Sequence, residues 1–223
     1  MIIKRTANAG VLLKLDGVSI LLDGVCREVK PYLATPEAER KGLSDCWPDA
    51  LAFSHTHEDH CDPTFAASYQ KQTGGVILCP EQIPGCIVTG TSVQVGSVRL
   101  LPVPSRHIGK AGATTRHCSY IVKGFSCVWF LGDASPLQWK LMQQLPRPDV
   151  LLVPFAYTTT ASGWEIVRQL GAEQVVLLHM PERSQDPYGL WPAVERVCGH
   201  AESPSLQIPN MGESLIIQDK TLI

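Results

Sequence analysis

Residues 54–62 read Ser-His-Thr-His-Glu-Asp-His-Cys-Asp, so His55, His57, Asp59 and His60 crowd into six consecutive positions. The apolar run Ala50-Leu51-Ala52-Phe53 stands directly before them and reads as a buried strand. Directly after them, Asp62-Pro63 pairs a helix N-cap with proline at the first helical position. The histidines therefore occupy a loop at the C-terminal end of a strand. Alternate residues of an extended loop point the same way, so His55 and His57 can share one ion while Asp59 and His60 face a neighbouring position. Imidazole and carboxylate together suit zinc, manganese or iron, and the split into two pairs suits a two-metal centre. A merely solvated polar loop is the plainer reading, but HxHxDH fixes four positions in a strand–loop–helix context. A zincin helix is excluded, because HExxH needs a histidine where Cys61 stands.

The rest of the chain repeats one arrangement, an apolar strand ending in a polar or ligand-type residue. The pattern predicts strands over 2–5, 10–15 and 18–22, with the Asp16-Gly17 turn between the last two and Asp23-Gly24 after them. A short helix follows Thr35-Pro36-Glu37, and the segment 25–49 reads as a lid or as plain connection. A helix from Pro63 ends before Gly74-Gly75; a strand covers 76–79, and a hairpin pairs 92–95 with 98–103. Further strands span 119–122, 126–131, 149–155 and 173–178, with helices over 136–144 and from Asp186-Pro187 through 197, and a closing strand at 211–217. Ser162-Gly163-Trp164-Glu165 has the pattern of a capping box opening another helix. His107, Asp133 and His179 follow such strands, His117 opens the strand at 119–122, and His200 lies in a loop.

With these residues, the chain resembles the metallo-β-lactamase superfamily. The form His-Thr-His-Glu-Asp-His-Cys-Asp is most similar to the ascorbate-6-phosphate lactonase-like and N-acylphosphatidylethanolamine phospholipase D-like metal-dependent hydrolases. The Gly-His-Ser that many lactonase-like relatives carry after the first strand is absent; Thr6-Ala7-Asn8-Ala9-Gly10 stands there. The resemblance implies an α/β fold, a four-layer αββα sandwich with mixed sheets, formed by residues 1–223 as one domain. It places His107 with His55 and His57 on one ion, and His179 with Asp59 and His60 on the other. Asp133, in Gly132-Asp133, lies between the two. His117 is the rival third ligand, and Asp23 is a strand-ending turn former or a carboxylate that sits beside the metals.

Such a centre implies a hydrolase. A hydroxide between two divalent ions, zinc ahead of manganese or iron, would attack an ester, lactone or phosphodiester of a small soluble substrate, with Asp59 also moving a proton. Arg106, Lys110, Arg116 and Tyr157 are the candidates for substrate contact, and the cations among them suit an anionic substrate. An iron-dependent oxidoreductase of the same fold and a non-catalytic metal-binding sensor are the alternatives.

Composition narrows the partners. With 19 Lys+Arg against 21 Asp+Glu, the net charge of −2 gives no basic excess for nucleic acid. No apolar run approaches the ~20 residues of a membrane span, and the start, Met1-Ile2-Ile3-Lys4-Arg5, lacks the pattern of a signal peptide. Eight cysteines without a CxxC pair fit a reducing cytoplasm.

Overall fold

The structure is a computed structural model that describes residues 1–88, 91–109, 112, 114–138, 142–199 and 204–218. Lys110 and His200 lie outside the described residues.

Strands β1 (Ile2–Arg5), β2 (Val11–Leu15) and β3 (Val18–Leu22) form the expected N-terminal meander. Asp16 (φ 51) and Gly17 (φ 81) supply the two left-handed residues that a tight hairpin turn needs. The chain then passes through α1 (Glu37–Asp45), β4 (Ala50–Ala52), α2 (Pro63–Thr73), β5 (Val76–Cys79) and β6 (Ile87–Val88). Asp62 accepts a hydrogen bond from the Thr64 N–H at 2.9 Å, Pro63 follows, and Gly74 closes α2 in the left-handed conformation. Both helix signals legible in the sequence thus operate as expected.

The second half begins with the antiparallel strands β7 (Val93–Val95), β8 (Val98–Pro104), β9 (Cys118–Lys123) and β10 (Cys127–Phe130). It continues through β11 (Val150–Pro154), α3 (Ala161–Leu170), β12 (Gln174–Leu178), α4 (Leu190–Cys198), β13 (Ser205–Gln207) and β14 (Ser214–Ile216). Two seven-stranded mixed sheets result, ordered β14-β1-β2-β3-β4-β5-β6 and β13-β12-β11-β10-β9-β8-β7. Each is antiparallel on one side and parallel on the other.

Strand alternation builds the layers. Val128, Phe130, Val150, Leu152, Val176 and Leu178 face inward onto Leu13, Ile20, Leu22 and Ala52 of the first sheet. Their neighbours Trp129, Leu151, Val153, Val175 and Leu177 face outward onto Trp164 and Val167 of α3 and Leu190 and Val194 of α4. On the other flank, Phe65 and Tyr69 of α2 and Leu43 of α1 cover Leu21, Leu51 and Ile77. Helices, two sheets and helices make the α/β, four-layer αββα sandwich that the resemblance implied.

Local expectations differ at three places. Thr160, not Ser162, caps α3 through the Gly163 N–H, because Thr160 already has the extended backbone of a cap; Glu165 pairs with Arg168 instead of closing a capping box. The helix expected over 136–144 begins as a short 3₁₀ turn, Pro136–Gln138, ahead of 139–141, which lie outside the described residues. The polar, short β13 carries too little apolar pattern to be read as a strand, yet it extends the second sheet.

Candidate metal centre

The loops following β3, β4, β8, β10 and β12 meet at one rim of the sandwich. That convergence brings the seven ligand-type residues singled out in the sequence into two groups. His55, His57 and His107 offer ring nitrogens within 4.8 Å of one another, and an Asp59 carboxylate oxygen lies as close to ring nitrogens of His60 and His179. Asp133 Oδ2 lies between them, 3.5 Å from His107 Nε2 and 3.6 Å from both His60 Nε2 and His179 Nε2. Asp59 Oδ2 approaches His179 Nε2 to 3.2 Å. Most of this cluster is buried, whereas His57 is exposed and marks the open side.

The orientations of the His55, His60 and His107 rings follow from what holds their Nδ1 atoms. Asp23, fully buried at the end of β3, accepts from His60 Nδ1 at 2.8 Å through Oδ2 and from the Ser54 backbone N–H at 2.6 Å through Oδ1. The Ser54 hydroxyl also donates to Asp23 at 2.5 Å and lies 2.9 Å from His55 Nδ1. His107 Nδ1 donates to the Ile108 carbonyl at 2.6 Å. Asp23 is therefore a carboxylate that orients a histidine, not merely a turn former. With each Nδ1 engaged, the Nε2 atoms of His55, His60 and His107 are buried without a hydrogen-bond partner among the described residues, as is Asp133 Oδ1. Buried polar atoms are rarely left so. Imidazole nitrogens and a carboxylate converging in this way suit a divalent ion, with outer partners fixing the tautomers.

His117 has no such free nitrogen. Its Nε2 accepts the Asp133 backbone N–H at 3.0 Å and its Nδ1 is 2.8 Å from the Ser105 hydroxyl. Burial, with lesser contributions from neighbouring histidines, lowers its pKa to about 3, so the neutral ring persists. His117 holds the turn that carries Asp133, and His107 joins His55 and His57.

Electrostatics reinforce the grouping. Burial works to raise the Asp133 carboxyl, yet His179 and His60 hold it well below the usual range. Burial likewise opposes the charge on His60, but Asp133 and Asp23 outweigh it and raise its pKa. Asp59 is lowered against its own burial by the hydrogen bond to His179 and the charge of His60. His179 has a left-handed backbone, φ 57, uncommon for a residue with a side chain. Its N–H donates to the Asn8 carbonyl at 3.1 Å, and the buried Arg5 guanidinium bonds the carbonyls of Ala7, Asn8, Met180 and Pro209 around it. Those bonds fix the strained position.

Of the residues expected to contact substrate, Arg106 and Arg116 are exposed beside the His107 loop. Tyr157 is corrected: it is fully buried in the apolar layer beneath α3, because the 3₁₀ turn Phe155–Tyr157 rotates it inward. Phe155, two residues earlier, faces the His179 ring at 5.6 Å. Tyr32 also reaches the site, its ring 4.3 Å from His179. Neither aromatic has a sequence signal, although Phe155 does stand at a strand end like the ligand-type residues.

A profile described as a beta-lactamase superfamily domain matches residues 3–179. A UPF0173 metal-dependent hydrolase from Methanopyrus kandleri is 24% identical over 211 residues, covering 85% of this chain and 84% of its own. Among solved structures, a possible metal-dependent hydrolase from Veillonella parvula superposes with a TM-score of 0.75 at 16% identity, covering 97% of this chain and 99% of that one. A metallo hydrolase from Ignicoccus hospitalis gives 0.67 at 19% identity, with 96% and 98% covered. The fold is of the metallo-β-lactamase type and the profile spans most of the chain: the protein belongs to the beta-lactamase superfamily.

Proposed function

We propose that the protein is a binuclear metal-dependent hydrolase acting on an ester, lactone or phosphodiester bond of a small, soluble, anionic molecule. The observation that carries this reading is the pair of three-residue groups, His55, His57 and His107 beside Asp59, His60 and His179, with Asp133 between them. The metal-dependent hydrolase among its sequence relatives supports the same class.

Two divalent ions held at such groups would supply a bound water acidified towards neutral pH and Lewis-acid polarisation of the substrate oxygen. The chain's residues do the rest. Asp23 fixes His60 with its proton on Nδ1, leaving Nε2 to bind. Asp59 sits at the edge of its group, where a carboxylate oxygen can take a proton and pass it to the leaving group. His57 faces the solvent, so substrate enters on that side, past Arg106 and Arg116, whose guanidinium groups suit carboxylate or phosphate. Eight free cysteines suit a reducing cytoplasm, and among the described residues no helix is long and apolar enough to cross a membrane.

Metal analysis of protein purified without added metal, with a panel of lactones, thioesters and phosphodiesters, tests the proposal. Near two zinc or manganese ions per chain, with turnover that disappears in His57→Ala, is the expected result. One iron per chain with oxygen uptake and no hydrolysis would overturn it in favour of an oxidoreductase. Full metal without turnover of any panel member would favour a sensor.

A further inference from the structure

After β3 the chain does not run directly to α1. It doubles back at Val29 and Tyr32, whose backbones exchange hydrogen bonds of 3.1 and 2.8 Å. The base of this small flap closes where the Cys26 N–H donates to Thr35 Oγ1 at 2.9 Å. It is fastened to the histidine loop by the Arg27 N–H on the Glu58 carbonyl at 2.7 Å. Arg40 of α1 adds a clamp, binding the Cys26 carbonyl at 2.8 Å and the Asp62 carboxylate at 2.8 Å. The flap is thus closed at its base and attached to its surroundings by two links.

The tip of the flap carries Tyr32. Its ring meets His179 edge-on at 4.3 Å and 77°, on the side of the centre formed by Asp59, His60 and His179. The phenol is only half-buried, lies within electrostatic reach of Asp133 and Asp59, and has no hydrogen-bond partner among the described residues. A hydroxyl on a ring packed against His179 and open to solvent is a donor that a bound substrate oxygen can take over from water.

We propose that Tyr32 is a catalytic residue that donates a hydrogen bond to the substrate oxygen that gains negative charge as the bond is attacked at the Asp59–His60–His179 side. The phenol keeps its proton throughout, so no atom or electron is exchanged with it. Hydroxide adds to the carbonyl carbon or phosphorus, the electron pair moves onto that oxygen, and the Tyr32 O–H stabilises it until the leaving group departs. The donor favours substrates whose scissile group presents a free oxygen, and the Tyr32 and Phe155 rings against His179 favour a flat or apolar substituent next to it. This assignment rests on the hydrolase reading above.

The test is Tyr32→Phe in the full-length, metal-loaded protein. Metal content, thermal stability, kinetics on any panel member the wild type hydrolyses, and binding of inorganic phosphate as a tetrahedral oxyanion probe are measured together. Expected are unchanged metal content and stability, kcat lower by roughly 10²-fold with KM little altered, and phosphate affinity lower by about tenfold. Wild-type kcat with wild-type phosphate affinity in the variant would overturn the proposal. So would loss of metal, which would make Tyr32 a support for His179 and not a donor. If the wild type hydrolyses nothing on the panel, the hydrolase reading fails by itself, and phosphate binding alone decides for or against Tyr32 as a donor.

Discussion

Gly132 offers a quantitative test of how tightly the centre is packed. It precedes Asp133 with φ +53, and a Cβ there would stand 2.5 Å from Ser54 Cβ, 2.6 Å from Ser54 Oγ and 3.0 Å from His117 Nε2. A side chain in this left-handed conformation costs about 1 to 2 kcal/mol, and forcing a methyl into a filled interior adds about 1 to 3 kcal/mol, so Gly132→Ala should lose roughly 2 to 5 kcal/mol. Gly74 supplies the control. Its φ is +63, but nothing lies within 4 Å of the added Cβ, so Gly74→Ala should lose only the backbone part, about 1 to 2 kcal/mol. Ser54 secures Asp23 and His55, so crowding it should also loosen the histidine cluster. Urea unfolding and thermal melts of both variants, with metal retained after dialysis, give the readout; in a chain of this size each kcal/mol moves Tm by about 2 to 4 °C. A Gly132→Ala protein no less stable than Gly74→Ala, with full metal content, would refute the argument.

Asp23→Asn removes the anion that orients His60, and metal affinity should fall about 10- to 100-fold in a chelator titration; unchanged affinity would deny Asp23 its orienting role. Asp62→Asn keeps an N-cap for α2 but loses the charge facing Arg40. Burial works to raise the Asp62 carboxyl, yet the Thr64 and Arg40 hydrogen bonds hold it below its ordinary value. Its stabilisation is therefore present above the unfolded value near ~3.9 and lost as the pH falls through the lower folded value, so the wild-type advantage should close below about pH 4. Urea midpoints differing by the same amount at pH 6 and at pH 3 would contradict this. Tyr157→Phe removes a buried hydroxyl that has no partner among the described residues, and should be neutral or stabilising by up to about 1 kcal/mol with activity intact. A loss of turnover there would return Tyr157 to the site.

The parts legible in the sequence were those written in local pattern. Apolar strands ending in His55, Asp133 or His179 carry their own punctuation, and Asp62-Pro63 and Gly74 bracket a helix by backbone chemistry alone. The place of His107 just past a strand end favours it over His117, which opens the next strand, and the hydrogen bonds agree: the Asp133 N–H takes Nε2 of His117, whereas Nε2 of His107 has no partner among the described residues. Tyr32 was hidden because the flap has no periodicity and its partner His179 is distant in the chain. Tyr157 misled because polar neighbours suggested a rim, while a single 3₁₀ turn decides which of Phe155 and Tyr157 faces outward.

The ligand-type residues are divided between the two sheets. Asp23 and the 55–60 loop belong to the first, whereas His107, Asp133 and His179 belong to the second. The sheets touch at this rim where the Cys118 N–H donates to the Ser54 carbonyl at 2.9 Å. At a distance from it, the Asp16 turn is bonded to the Phe125 N–H at 2.7 Å and the Ser97 hydroxyl at 2.7 Å. Neither of the two groups around Asp133 is complete within one half of the chain: His107 completes the group of His55 and His57, and His179 that of Asp59 and His60. An ion held here reports that the halves have docked in register, and the free energy of its capture is shared by both, so the centre acts as a lock on assembly as well as a place for chemistry.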